Sequence, residues 1–217
     1  MDSSEALPQP RSVSQLEANV AHELSNLLNV ISACGDRLAS SPEVAAAARL
    51  DLLALAGRVA HAIIDARRRG VSLRRWLGVN ATLRRLEAAV RLLLPASIDV
   101  TLDFDPQAGC VHLAPGELDL VILNLLLDAR ARLGDSGHFA IRSMRVRDGE
   151  REAIAIFVED QPREAQRWRA TPDGVQFGLA TVRLITRDAE GDVELRPHPS
   201  GGFSVRLLLP ARPNAAD

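Results

Sequence analysis

The sequence predicts an α-helical unit followed by an α/β unit: a helical hairpin that forms a dimeric four-helix bundle, then an α/β sandwich. Three observations carry this. An apolar seam at helical spacing runs through the first part of the chain, strand patterning is nearly absent there, and from about Gly78 helical and strand patterns alternate.

In chain order, residues 1–11 (MDSSEALPQPR) read as a disordered leader, polar and Pro-bearing, without the apolar core of a signal peptide. Residues 12–77 form the hairpin. Leu16, Val20, Leu24, Leu27, Ile31, Cys34 and Leu38 recur at steps of four and three, the mark of a bundle seam. Ser40-Ser41-Pro42 breaks the run, and Leu50, Leu53, Val59, Ile63 and Ile64 supply a second apolar face. Two helices cannot enclose a core, so a second copy is expected to complete it, giving a homodimer. Residues 78–212 form the sandwich. Helices are predicted over 81–94, 115–133 and about 177–189, and strands over Ile98–Phe104, Phe139–Arg147, Ala153–Val158, Asp192–Arg196 and Phe203–Leu209. That order places helices on one face of a mixed sheet, and the last few residues fray.

Composition narrows the chemistry. The chain is 47% hydrophobic with a formal net charge of -2, so no excess of positive charge draws it to nucleic acid or an anionic membrane. All 26 basic residues are Arg, which rules out a phosphate-binding lysine and Schiff-base chemistry. Cys34 and Cys110 lack the spacing of a zinc site and read as two buried thiols; no metal site is expected. The longest apolar stretch, Leu118 to Leu127, is interrupted by Asp119 and Asn124 and falls short of the ~20 residues of a membrane helix. The expected location is the cytoplasm.

His22 lies two residues from Val20 and two from Leu24, so at ~100° per residue it projects roughly 200° from the seam. Asn19, Asn26 and Asn29 share its face. A lone helical histidine is usually just an exposed side chain, but Ala21-His-Glu-Leu-Ser-Asn-Leu-Leu-Asn-Val-Ile31 resembles the phosphoacceptor box of sensor histidine kinases. The residue types suit that role. Neutral imidazole can accept a phosphoryl group, Glu23 can take the other ring proton, and Asn26 can orient a water for the reverse, hydrolytic reaction.

Later segments follow the same family's order. Pro115-Gly116-Glu117-Leu118-Asp119 through Asn124 to Asp128-Ala129-Arg130 is similar to the helix that carries the magnesium-binding asparagine. Asn124 matches the first asparagine of that box, and Asp128 stands in place of the second. Alone, the segment would read equally well as a plain amphipathic helix. Ile156-Phe-Val-Glu-Asp160-Gln-Pro162 occupies the place of the Asp-x-Gly-x-Gly adenine box, with Asp160 kept and both glycines lost. Gly174-Val-Gln-Phe-Gly178-Leu resembles the last glycine box, with Gln176 replacing the middle glycine. Gly191 onward and Gly201 to Pro210 resemble the closing hairpin. The resemblance spans about residues 13–210.

It implies a histidine-kinase type of ATP-binding domain in degenerate form. Asn124, Asp128, Asp160, Gly174 and Gly178 would be the relict nucleotide site, with a shortened lid between Asp160 and Gly174. Lost glycines deprive such a site of close backbone approach to the nucleotide. The expectation is therefore a phosphorelay histidine phosphotransferase: His22 exchanges phosphoryl with receiver-domain aspartates of response regulators, with a hybrid histidine kinase as a further candidate partner. No cofactor is expected. The alternatives are a soluble kinase that phosphorylates His22 from Mg-ATP and a pseudokinase that only sequesters regulators.

Overall fold

The computed structural model describes residues 74–163, 176–198 and 201–213. Residues 12–73 of the predicted hairpin, with its seam and the expected dimer, lie outside the described residues, whereas Arg75–Leu77, read as its end, are strand. The elements are β1 (Arg75–Gly78), α1 (Val79–Leu93), β2 (Ile98–Phe104), β3 (Cys110–Leu113), α2 (Glu117–Leu133), β4 (Gly137–Asp148), β5 (Arg151–Pro162), α3 (Gln176–Asp188), β6 (Asp192–Pro197) and β7 (Phe203–Arg212).

The strands form one mixed sheet in the order β1-β3-β7-β5-β4-β2, with β6 also on β7. β2 runs parallel to β4, and the other pairs are antiparallel. Alternation decides which side chains face inward. On β5, Ile154, Ile156, Val158 and Asp160 point into the core, beside Phe139 and Ile141 of β4 and Val205, Leu207 and Leu209 of β7. The helices cover this face. α2 packs on β4 and β5, with α1 beside it over β2 and α3 on its other side over β6 and β7.

α1 buries Val79, Leu83, Leu86, Val90 and Leu93, one stripe at helical period, and ends where Pro95 forces Leu94 into an extended conformation. α2 is apolar nearly all round and is buried along most of its length, because it sits between both other helices and the sheet. Its start is fixed by Gly116 at φ 87° and by Glu117, whose carboxylate accepts the Ala114 N–H at 2.8 Å.

β1 and β3 are additions to the predicted set. Each has four residues, and they pair with one another while β3 also joins β7. Cys110, at the start of β3, is half-buried rather than buried as predicted, because Val111 and Leu113 take the buried face of that strand and Cys110 alternates with them. Among the described residues no helix is long and apolar enough to cross a membrane.

Candidate functional site

The candidate site lies where the last turns of α2 meet the end of β5. Asn124, Asp128 and Arg132 are spaced by four residues and therefore share one stripe of α2. Asp160 continues the inward alternation of β5, so its carboxylate enters the core from the sheet. Its cross-strand neighbours are Phe139 on β4 and Phe203 on β7.

A carboxylate in that position needs donors, and Arg132 provides them. Arg132 Nε donates to Asp160 Oδ1 at 3.0 Å and Oδ2 at 3.1 Å, and Nη2 donates to Oδ2 at 2.5 Å. Both side chains are shut away from water, 7% and 4% exposed. The guanidinium also lies over the Phe203 ring, 5.1 Å from its centroid. Beside the pair, Gly202 has φ +83°, and a Cβ there would fall 2.0 Å from the Asp160 carbonyl oxygen and 2.7 Å from Oδ1. The β6–β7 turn is thus pressed onto Asp160, and only glycine fits.

The remaining members of the stripe behave differently. Asn124 is buried and donates its amide to Leu120 O at 2.9 Å, a bond within its own helix. Asp128 is half-buried. Burial raises its pKa from 3.8 to about 6, helped by the charge of Asp160 and opposed by Arg132.

The strand does not end at Asp160. β5 runs on through Gln161, opposite His138, to Pro162, opposite Gly137, so residues matched to the adenine box are sheet residues here. The Gln161 side chain is within 3.2 Å of His198 Nε2, on the segment that follows β6. Gly178 falls in the first turn of α3. His22, Glu23, Asn26, Gly174 and most of the segment read as a lid lie outside the described residues.

The structure sets Asp128 within electrostatic reach of Asp160, leaves Asn124 bonded within its own helix two turns before Arg132, and adds Arg132, which no motif singles out. A usable signal exists. An arginine on the buried stripe of an apolar helix requires a carboxylate partner, and Asp160 is an acid on an inward strand position. Among the described residues no cluster of His, Cys, Asp and Glu could hold a metal ion.

A helical layer on a mixed sheet, closed by the β6–β7 hairpin, is the fold of the sensor histidine kinase catalytic domain. Mycobacterial sensor histidine kinase MprB matches with a TM-score of 0.52 at 17% identity, over 64% of this chain and 99% of that one. The histidine kinase domain of the Erythrobacter litoralis EL346 blue-light activated histidine kinase also gives 0.52 at 17% identity, over 92% of this chain and 96% of that one. No family model matches the chain, and no curated protein is similar to it in sequence. Identities this low speak to the fold alone.

Proposed function

We propose that this chain is a phosphorelay histidine phosphotransferase of kinase descent, working through His22 with its ATP-type domain withdrawn from nucleotide use. The observation that carries the reading is the engagement of Asp160 by Arg132. A carboxylate that is to read the amino group of an adenine must have an unfilled acceptor facing a cavity; this one is buried and holds a bidentate guanidinium. The other features agree. Asp128 would set a second acid beside any polyphosphate, and its carboxyl resists ionisation until about pH 6. Pro162 lacks the backbone donor that a closely approached nucleotide would use. The residues present therefore fit Mg-ATP poorly.

In the proposed reaction an imidazole nitrogen of His22 attacks the phosphorus of a receiver's aspartyl phosphate. The P–N bond forms as the acyl-phosphate P–O bond breaks, the aspartate leaves as carboxylate, and Glu23 takes the proton on the other ring nitrogen. The reverse sequence passes the phosphoryl to a second receiver. Response regulators are the partners, and a homodimer of residues 12–77 is the platform.

The fold shared with solved kinases favours one other reading, an active soluble histidine kinase that phosphorylates His22 from ATP. Nucleotide binding separates the two, while phosphorylation of His22 separates both from a pseudokinase that only sequesters regulators. A phosphorylated receiver should label the wild type and leave His22→Ala unlabelled. Calorimetry with Mg-ATP should give a dissociation constant no tighter than millimolar, roughly 4 kcal/mol of binding energy. A micromolar constant, or His22 labelled from ATP alone, would establish the kinase instead.

A further inference from the structure

We infer that Arg132 decides what this site accepts: its guanidinium sits as a built-in planar ligand on Asp160 and thereby excludes adenine. The inference rests on the reading of Asp160 as the relict base-reading carboxylate.

Three features of the geometry point there. The guanidinium is planar and charged, and it presents its donors in a fixed fork to both carboxylate oxygens. The guanidinium carbon lies over the aromatic ring of Phe203, 5.1 Å from its centroid, a contact that a flat heterocycle could also make. Gly202 closes on Asp160 so tightly that no side chain fits, an added Cβ falling 2.0 Å from its carbonyl oxygen and 2.7 Å from Oδ1. Carboxylate, aromatic wall and glycine floor form a seat for a flat hydrogen-bond donor, and α2 delivers one from the same chain. A neutral exocyclic amino group donates fewer bonds and carries no charge. To take the seat it would have to leave two buried charges apart, which is strongly unfavourable. The ordinary alternative is that the pair merely ties α2 to β5.

The two accounts differ in what happens when Arg132 is cut back. Full-length wild type, Arg132→Ala and Arg132→Gln would be titrated calorimetrically with ADP and with adenosine, with circular dichroism to check folding. Wild type should show no saturable heat into the millimolar range. Arg132→Ala should bind both ligands at least roughly tenfold more tightly than wild type. Adding Asp160→Asn to Arg132→Ala should abolish the gain. The glutamine variant keeps a donor for the buried carboxylate and serves if the alanine variant does not fold. A folded variant that binds adenosine no better than wild type would overturn the inference while leaving the phosphotransfer reading standing. A wild type that binds adenosine tightly, with Arg132 in place, would overturn the inference and the phosphotransfer reading together. Should neither variant fold, the Arg132 Nε–H resonance of wild type decides. Indifference to millimolar ADP supports the inference, and a saturable shift overturns it.

Discussion

Replacing Asp128 with asparagine should stabilise the protein at neutral pH, and the gain should vanish in acid. In the fold the carboxyl is held at about 6 against 3.8, first because burial penalises its charged form and then because Asp160 is close, with Arg132 opposing. A folded-state pKa above the unfolded one means that this group's contribution is complete below about pH 4. It is lost as the pH rises through about 6. The interval between 3.8 and about 6 corresponds to roughly 3 kcal/mol at about 1.4 kcal/mol per pH unit, an upper figure because side chains relax. The asparagine side chain is close in shape and never ionises, so the expected gain is roughly 1–3 kcal/mol above about pH 7 and near zero below about pH 4. Urea unfolding of both proteins across that range measures it, and taking the difference cancels the other titrating groups. A difference that is flat with pH, or destabilisation at neutrality, would refute the claim that Asp128 is held as a reluctant anion.

Two further outcomes test the turn and the hairpin. Gly202→Ala should cost more than about 2 kcal/mol, since alanine is strained at positive φ and its methyl meets the Asp160 carbonyl; a neutral result in urea unfolding would mean that the turn does not bear on that strand. Leu24→Glu should convert a dimer into a monomer by light scattering, because the seam that a second copy would bury forfeits ~1.5–3 kcal/mol for each apolar side chain left wet; a monomeric wild type at micromolar concentration would remove the bundle altogether.

The long sheet elements are legible because each carries its own pattern. IDVTLDF alternates strictly, and β2 spans those seven residues and no others. α1, α2 and α3 begin and end within two residues of expectation, since Pro95, Gly116 and the Gly134 turn punctuate the chain. β1 and β3 are not legible. RWLG and CVHL are too short to display a period, and what makes them strands is pairing with each other and, for β3, with the distant β7. The site divides along the same line. Asn124, Asp128 and Asp160 stand out as local motif positions, whereas the Arg132–Asp160 pair joins two elements across 28 residues of sequence and exists only once α2 lies on β5.

β2 ends the sheet and, among the described residues, has no strand on its outer edge. The alternate backbone donors and acceptors of β2 that do not bond to β4 would be a template for a stray strand from another molecule. Asp99 and Asp103, both exposed, stand on the side of that strand turned away from the core. Any second copy adding in register would bring its own acids against them. The edge is thereby guarded against fibril-like growth, a safeguard of practical weight in a chain expected to hold two copies of itself together through its other half.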